Sequence, residues 1–297
     1  MRIFLTGATG FIGSAIVQEL LTAGHQVLGL ARSDDKAQAL TRLGIEAHRG
    51  NLLDTESLAA GARACDGVIH TAFIHDFANV SIAEAAEVDQ RVVAAMVAAL
   101  ESTDKPLVIA SGTAGVASER LATEEDVPVV ITGRAVCEEM VRAAASRGVR
   151  GSIVRLPPTV HGAGDKGFVP MFIDIARRTG LAAFVGDGAN RWAAVHRLDA
   201  ARLFRLAAEN AEPGARLHGV AEEGVPMREI AQTIGEGLGV PVRGIGPDEA
   251  GAHFGWMAGF VALDNPTSSV LTREALGWEP KEIGLLTDLR ESGYFSF

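Results

Sequence analysis

Tyrosine and cysteine are scarce in this chain of 297 residues: tyrosine occurs once and cysteine twice. The two cysteines, Cys65 and Cys137, have neither the spacing of metal ligands nor a CxxC motif, which argues against a cysteine-based zinc or redox site. A catalytic thiol needs an activating partner, and the sequence places none beside either residue. We therefore expect two small structural residues and a reducing, cytoplasmic setting.

The chain also has fewer positive than negative residues: 27 Lys and Arg and 37 Asp and Glu give a net charge of −10. Proteins that bind nucleic acid neutralise phosphates with Lys and Arg, so this balance argues against a nucleic-acid partner. No apolar run approaches the roughly 20 residues that span a bilayer, and no secretory signal pattern is present. The composition predicts a globular protein without a membrane partner.

The first half of the chain alternates short β-like runs with stretches of helical periodicity. The strand-like runs are residues 3–6, 26–30, 45–48, 68–70, 107–110 and 151–155, and the helical stretches are residues 12–23, 34–43, 82–100 and 134–147, with a further start at 54–57. Alternation of this kind predicts a parallel sheet with helices on both faces. In such sheets ligands bind at the edge where the strands end.

A glycine-rich segment, TGATGFIG at residues 6–13, follows the first strand and opens the first helix. Gly7 can adopt the tight turn, Gly10 leaves room for a pyrophosphate, and Gly13 lets the helix approach the sheet. The unpaired N–H groups and positive dipole end of the helix favour phosphate. Because the motif lies between a strand and an amphipathic helix, it predicts a Rossmann-type dinucleotide site rather than a merely structural turn.

The end of the second strand bears on the choice of cofactor. An acidic residue usually binds the ribose 2′-hydroxyl of NAD at this point, but here Ala31 is followed by Arg32 and Ser33. Arg32 can pair with a 2′-phosphate and Ser33 can donate a further hydrogen bond, although Arg32 would also suit a solvated position before a helix. We predict NADP(H) as cofactor in preference to NAD(H).

The pattern changes after residue 156, where Pro157, Pro158 and glycines at 162, 164, 167, 186 and 188 predict long loops. Helical stretches return at residues 199–210, 227–236, 269–276 and 283–292. We predict an α/β architecture, with a doubly wound dinucleotide domain at 1–156, to which 193–220 returns, and a smaller C-terminal substrate domain at 157–297.

Several further motifs occur in a fixed order along the chain. They are NLLD at 51–54, TAF at 71–73, RLPPTVHG at 155–162, VHRLD at 195–199 and LGWEP at 276–280. With the glycine segment they resemble the extended short-chain dehydrogenases/reductases of the NAD-dependent epimerase/dehydratase type, nearly end to end. The resemblance implies a small-molecule substrate, and a homodimer formed by the helices at 82–100 and 134–147.

The resemblance also implies cofactor contacts. Asn51 and Leu52 would lie by the adenine, and Pro157 and Pro158 by the nicotinamide; Ser111 lies just past the strand that usually carries a catalytic Ser or Thr. The predicted cofactor-binding residues are Gly7, Thr9, Gly10, Phe11, Ile12, Gly13, Arg32, Ser33, Asn51, Leu52, Thr71, Ala72, Phe73, Ser111, Arg134, Pro157 and Pro158.

The chain departs from the family at its acid/base pair, Tyr-x-x-x-Lys, for which the aligned positions hold Val130 and Arg134. The single tyrosine, Tyr294, lies near the C-terminus. Carbonyl reduction builds an alkoxide that must be stabilised or protonated. Arg134 keeps a positive charge at the lysine position, but it is a poor proton donor because the pKa of arginine exceeds about 12.

Other groups could compensate. The Thr113 hydroxyl could polarise a carbonyl or simply stabilise its loop, Thr132 could order a water, and His161 could transfer protons or pack in a loop. We predict Thr113, Ser111 and Arg134 as the catalytic residues, with no metal.

The substrate region is open to three interpretations. Arg191, in the run Asn190-Arg191-Trp192, could bind substrate phosphates, or aromatic residues could line an apolar pocket, or the same aromatics could be ordinary core. These aromatics are Phe168, Phe172, Trp192, Phe254 and Trp256.

Three functions follow. The leading hypothesis is an NADP(H)-dependent reductase or dehydrogenase acting on a small carbonyl or alcohol. The second is a sugar-nucleotide epimerase or dehydratase, against which Ala31, Arg32 and Val130 count. The third is a catalytically silent NADP(H)-binding sensor, which the missing tyrosine supports.

Overall fold

The structure, a computed structural model, describes residues 1–76, 79–116, 120–128 and 133–296. Its strands are β1 (Arg2–Thr6), β2 (Gln26–Ala31), β3 (Glu46–Arg49), β4 (Gly67–His70), β5 (Pro106–Gly112), β6 (Arg150–Leu156), β7 (Thr159–His161), β8 (Ala182–Val185), β9 (Arg191–His196), β10 (Arg216–His218), β11 (Glu222–Pro226) and β12 (Val242–Ile245). Its helices are α1 (Phe11–Thr22), α2 (Asp34–Arg42), α3 (Thr55–Arg63), α4 (Ile82–Leu100), α5 (Arg134–Ala143), α6 (Phe168–Thr179), α7 (Arg197–Asn210), α8 (Met227–Leu238), α9 (Pro247–Phe254), α10 (Ala258–Val261), α11 (Val270–Leu276) and α12 (Leu285–Glu291).

Seven strands form one parallel sheet in the order β10-β6-β5-β4-β1-β2-β3. The register places Ile3 of β1 beside Val27 of β2 on one side and Gly67 of β4 on the other. The chain therefore reverses its winding between β1 and β4, which opens a crevice at the carboxyl edge there. The predicted Rossmann-type α/β fold is confirmed.

The inner strands of the sheet are buried on both faces because they are largely apolar. Ile3 and Leu5 pack with α1 and α7, whereas Phe4 between them points to the opposite face, against α3 and α4. Each fully buried side chain of this kind contributes about 1.5–3 kcal/mol. The period of two along β1 thus fixes which helices cover which face.

Polar caps define where several helices of the sheet begin. The side chain of Asp54 accepts a hydrogen bond from Ser57 N at the start of α3, and Ser81 and Glu84 form a capping box at the start of α4. Such caps satisfy backbone N–H groups that the helix itself cannot pair. They fix the helix starts close to where the sequence pattern places them.

The second half holds more regular structure than the predicted long loops. A three-stranded sheet, β11-β9-β7, and a pair, β12-β8, pack with α6, α8, α9 and α12 around a second core. The prediction was wrong for residues 159–161, 168–179 and 182–185, which form β7, α6 and β8. Pro170 lies in the first turn of α6, where backbone N–H groups have no acceptor within the helix. Its missing N–H therefore costs no helical hydrogen bond, and the proline does not interrupt the helix.

Part of the second half lies against the first. Helix α7 packs on α1, and β10 pairs in parallel with β6. In the part of the chain that the structure describes, no helix is both long enough and apolar enough to span a bilayer.

Candidate functional site

The glycine segment forms a close-packed turn between β1 and α1. Gly7 has φ +77°, and a Cβ atom there would lie 2.7 Å from Thr71 Oγ1 and 2.9 Å from the Ala72 nitrogen. A Cβ atom at Gly13 would overlap the Gly7 carbonyl oxygen. Larger residues would therefore push β1, α1 and the end of β4 apart, which explains the need for glycine at both positions.

The start of α1 is built differently from the capped helices. Gly10 is its N-cap and supplies no side-chain hydrogen bond, and the first turn carries no acidic residue. The early N–H groups and the positive end of the helix dipole are therefore available to an anion. Together with the close packing at Gly7 and Gly13, this arrangement fits the pyrophosphate of a dinucleotide. Thr9, Phe11 and Ile12 are half-buried at the same turn.

Arg32 is exposed directly after β2 and makes no ion pair with any residue in the described ranges. Ser33 caps α2 by accepting a hydrogen bond from Lys36 N at 3.4 Å, which leaves its hydroxyl proton available to a ligand. The acidic neighbour Asp34 is paired with Arg49 at 2.7 Å. A cation and a hydroxyl donor thus stand where a 2′-phosphate is predicted.

Seven of the other predicted cofactor contacts follow the ends of three strands. Asn51 is exposed after β3, with its side-chain oxygen bonded to Leu53 N, and Leu52 is half-buried beside it. Thr71, Ala72 and Phe73 follow β4, while Pro157 and Pro158 follow β6. Because the sheet is parallel, these segments share one edge with the glycine turn.

Arg134 is held at this edge from three sides. Its Nη1 donates to the Ala110 carbonyl oxygen at 3.0 Å, its guanidinium carbon lies 4.3 Å from the centre of the Phe73 ring, and its Nε lies 3.6 Å from Asp89 Oδ2. The side chain remains 25% exposed. A fixed positive charge therefore faces solvent where the resemblance places the nicotinamide ribose.

Behind Arg134 runs a buried chain of hydrogen bonds that the sequence analysis missed. His70 Nε2 donates to Asp89 at 2.9 Å, and the Thr6 hydroxyl donates to His70 Nδ1 at 2.7 Å. Burial raises the pKa of Asp89, but the hydrogen bond from His70 and the charge of Arg134 outweigh it and lower the pKa below its usual value. A signal existed, because His70 ends an apolar strand and Asp89 interrupts an Ala- and Val-rich helix.

Ser111 lies in a second buried network. Its hydroxyl donates to Glu138 Oε1 at 2.6 Å, and Glu138 binds Arg155 through Nη2 at 2.6 Å. Arg155 is fully buried and Glu138 is 1% exposed. Because the single hydroxyl proton of Ser111 is committed to a carboxylate, this geometry offers no donor to a substrate carbonyl.

The Thr113 hydroxyl is likewise hydrogen-bonded to another buried side chain. Its hydroxyl donates to Asn265 Oδ1 at 2.8 Å, and the Asn265 amide returns a hydrogen bond to the Thr113 carbonyl oxygen at 3.0 Å. Both side chains are buried, so the pair ties the C-terminal half to the end of β5. The arrangement favours the loop-stabilising interpretation of Thr113, and its catalytic role stays a prediction.

His75 is a second group that the sequence analysis missed. Its Nδ1 donates to the Phe73 carbonyl oxygen at 3.1 Å, and its ring packs edge-on against Phe73 at 5.4 Å. Partial burial and the positive charge of Arg134 lower the pKa of His75 below its usual 6.5. A histidine two residues beyond the TAF motif was the available signal. Val130, at the position of the family's tyrosine, and Thr132, considered for ordering a water, lie outside the described residues.

The remaining proton-transfer candidate, His161, lies in the C-terminal half near the chain's single tyrosine, Tyr294. His161 is 1% exposed and its Nδ1 bonds to Asp288 at 2.8 Å. The Tyr294 hydroxyl accepts from Gly162 N at 3.0 Å, and burial raises its pKa. These contacts hold both side chains within the protein.

Arg191, considered for substrate phosphates, forms a two-point ion pair with Asp264. Its Nη2 and Nε lie 2.9 and 3.1 Å from the two carboxylate oxygens. The Asn190 amide donates to the carbonyl oxygens of Val261 and Leu263. The charge of Arg191 is thus already compensated within the protein.

The close glycine turn, the uncapped start of α1 and the parallel sheet define a protein of the Rossmann class, a fold that commonly binds dinucleotides. The sequence profile of the NAD dependent epimerase/dehydratase family matches residues 3–218, and the chain belongs to this family. The resemblance found in the motifs is confirmed.

Relatives extend over nearly the whole chain. An uncharacterized protein of Schizosaccharomyces pombe is 50% identical over 297 residues, which cover 99% of this chain and 100% of the relative. A 2-alkyl-3-oxoalkanoate reductase of Stenotrophomonas maltophilia is 30% identical over 258 residues, covering 81% of this chain and 77% of the relative. The UDP-glucose 4-epimerase of Thermus thermophilus, solved with NAD, has a TM-score of 0.76 at 22% identity, with coverage of 100% and 99%. At this identity the structural likeness supports the fold alone.

Proposed function

We propose that the protein is an NADP(H)-dependent oxidoreductase that interconverts a carbonyl compound and its alcohol. The observation that carries the proposal is Arg134, a fixed and partly exposed cation on the same sheet edge as the glycine turn. The exposed Arg32 after β2 supports NADP(H), and the similarity of 81% of the chain to a 2-alkyl-3-oxoalkanoate reductase supports carbonyl chemistry.

The proposed chemistry divides between the cofactor and the chain. The nicotinamide, when bound, supplies hydride to the carbonyl carbon or accepts it from the alcohol. Arg134 stabilises negative charge on the substrate oxygen, because a preorganised cation needs little rearrangement as that charge develops. It stays protonated throughout, so another group must transfer the proton.

His75 is the group that we assign to proton transfer. Because its Nδ1–H is bonded to the Phe73 carbonyl oxygen, the titrating proton resides on Nε2. In reduction the imidazolium donates this proton to the alkoxide, and in oxidation the neutral ring accepts it from the alcohol. The ring stands beside Phe73, over which Arg134 lies, so both groups serve one location.

The first test is turnover by the purified protein. NADPH and NADH are titrated separately, and the absorbance of the reduced nicotinamide is then followed with a panel of aldehydes and ketones. Consumption of NADPH supports the proposal. Tight binding of NADPH that persists against every carbonyl would contradict it and favour the silent sensor, for which the committed hydroxyls of Ser111 and Thr113 would be the reason.

The second test is the pH dependence of turnover. Reduction is expected to accelerate as the pH falls through the pKa of His75, below 6.5, and oxidation to accelerate as the pH rises through it. His75→Gln removes both inflections, whereas His25→Gln, at a partly exposed histidine bound to Glu209, retains them. Unchanged inflections in His75→Gln would remove this residue from the mechanism.

The epimerase alternative receives less support from the site. Arg191 is bound to Asp264, so the cation considered for a sugar nucleotide's phosphates is already paired. The proposed reductase does not need Arg191 to bind its substrate.

A further inference from the structure

Arg197 is a half-buried cation at the start of α7, and the described part of the chain gives it no anionic partner. Its guanidinium carbon lies 5.2 Å from the centre of the Phe11 ring, and it forms no hydrogen bond or ion pair with a described residue. An aromatic ring attracts a cation but leaves the N–H donors of a guanidinium group without an acceptor. A charge that is partly removed from water is unfavourable when unpaired, so Arg197 suits a ligand that brings the anion.

The contact with Phe11 places this charge beside the glycine turn, because Phe11 is the first residue of α1. About two turns further along both helices, Arg205 of α7 donates to Glu19 of α1 at 2.7 Å. The two helices therefore run side by side in the same direction, with their starts level. The positive ends of both helix dipoles meet at the glycine turn.

A missing side chain at Gly162 leaves room for Arg197 to reach the turn. A Cβ atom on Gly162, which follows β7 with φ +133°, would lie 3.1 Å from Arg197 Cγ and 2.8 Å from His196 Nε2. A larger residue would therefore displace the aliphatic part of the arginine. Packing thus sets the position of Arg197 before any ligand binds, which lowers the cost of ordering it.

The charges near the two helix starts also favour an anion. The start of a helix stabilises acidic side chains and destabilises cations. The first turn of α1 has no acidic residue, and the acidic residue in the first turn of α7, Asp199, is buried and paired with Arg202. The charge of Arg197 and the two helix dipoles therefore add up to a positive potential at a turn that already fits a pyrophosphate.

We propose that Arg197 is a cofactor-binding residue that pairs with the pyrophosphate of the dinucleotide. The inference rests on the dinucleotide cofactor of the proposed function, but not on its carbonyl chemistry. NADP(H) and NAD(H) share the pyrophosphate, so Arg197 adds affinity for both cofactors. Its role thus differs from that of Arg32, which is assigned to the 2′-phosphate of NADP(H) alone.

The test compares the dissociation constants of NADPH, NADH and ADP-ribose, measured by calorimetry, for the wild type and Arg197→Gln. ADP-ribose keeps the pyrophosphate and lacks the nicotinamide. We expect Arg197→Gln to weaken all three ligands by about 10–100-fold, because a charge-assisted hydrogen bond is lost. Arg197→Lys, which keeps the charge, should lose less. Arg178→Gln, at an exposed residue in the last turn of α6, is the control for net charge and should bind all three as the wild type does.

Thermal unfolding separates ligand binding from a structural role. Because Arg197 has no hydrogen bond or ion pair within the described residues, ligand-free Arg197→Gln should unfold near the Tm of the wild type. NADPH should then raise the Tm of the wild type more than that of the variant. An equal rise in both proteins at the same NADPH concentration would contradict the inference.

The outcomes of the binding test distinguish this inference from the proposed function. Dinucleotides that bind in an Arg197-dependent way but reduce no carbonyl would refute the reductase and leave Arg197 supported. Unchanged affinities in Arg197→Gln, with or without a rise in KM for the carbonyl substrate, would overturn the inference alone. Weaker binding of NADH with unchanged binding of ADP-ribose would assign the arginine to the nicotinamide, which also overturns the inference.

Discussion

Two charged residues of helix α5, Arg134 and Glu138, lie one turn apart in very different surroundings. Arg134 reaches Asp89 and the end of β5 and keeps 25% of its side chain in solvent. Glu138 is closed in by Ser111 and Arg155 and is 1% exposed. The comparison shows how one helix can serve both a site and its scaffold. A partly exposed charge such as Arg134 is available to a ligand, whereas a fully buried ion pair such as Glu138–Arg155 holds secondary-structure elements together.

The largest effect is expected when the buried network of Ser111, Glu138 and Arg155 is broken, which we call the closed network. Glu138→Gln leaves the buried guanidinium of Arg155 without its counter-charge, and the loss of an ion-pair partner of this kind costs about 3–5 kcal/mol. Urea unfolding monitored by circular dichroism measures the change. Glu139→Gln, at a residue 40% exposed, is the control and should change stability by less than about 1 kcal/mol. Equal, small losses in both variants would refute a structural role for the closed network.

Arg134 and its partner Asp89, which we call the open network, should affect the rate of catalysis. Arg134→Gln removes the cation from the sheet edge, and we expect kcat to fall by about 10²–10³, the cost of losing one preorganised group that stabilises an oxyanion. Stopped-flow oxidation of bound NADPH is the measurement. Arg142→Gln, on the same helix but 40% exposed and paired with Glu139, should retain the rate. If both variants react alike, Arg134 has no part in the chemistry.

A smaller effect is expected at the other open cation, Arg32. Arg32→Ala should weaken NADPH binding by about 1.5–3 kcal/mol, since a charge-assisted hydrogen bond to the 2′-phosphate is lost. Binding of NADH, which lacks this phosphate, should not change. Arg42→Ala, at an exposed residue at the end of helix α2, provides the control for net charge. An equal loss for both cofactors would remove the basis for NADP(H) preference.

A pH-dependent effect concerns Asp165, a carboxyl group that belongs to neither network. Burial raises the pKa of Asp165 from 3.8 to about 6, whereas the ion-paired Asp89 has a lowered pKa. The folded state therefore holds the Asp165 proton more tightly than the unfolded state does. Its contribution to stability is complete below the unfolded pKa and is lost as the pH rises through about 6.

Urea unfolding at a series of pH values tests this prediction. Asp165→Asn should flatten the fall in unfolding free energy between about pH 4 and pH 7, while Asp174→Asn, 68% exposed, should leave it unchanged. A wild-type slope that persists in Asp165→Asn would assign the titration to another group.

The sheet could be predicted from sequence because its signals are local. Apolar runs and helical periodicity lie within about twenty residues of one another, and Gly7, Gly10 and Gly13 occupy one turn. Such patterns also predicted that Arg32 would follow the second strand and that Arg134 would begin a helix, where the structure has them. A local sequence pattern is enough to place a residue when the fold itself determines where each strand ends.

The partners of the polar side chains could not be predicted in the same way. Thr113 meets Asn265 across 152 positions, and Ser111 meets Glu138 across 27. Which hydroxyl is satisfied internally depends on these distant contacts, and no periodicity encodes them. For the same reason, the sequence left open whether the aromatic residues line an apolar pocket or fill a core.

The most direct test of the comparison is the unfolding free energy of Arg134→Gln beside that of Glu138→Gln. Asp89 keeps its hydrogen bond from His70 when Arg134 is removed, so we predict a loss near 1 kcal/mol for Arg134→Gln. The predicted loss for Glu138→Gln is about 3–5 kcal/mol. A loss in Arg134→Gln as large as that in Glu138→Gln would show that Arg134 is part of the scaffold, and the account of an open, functional cation would be contradicted.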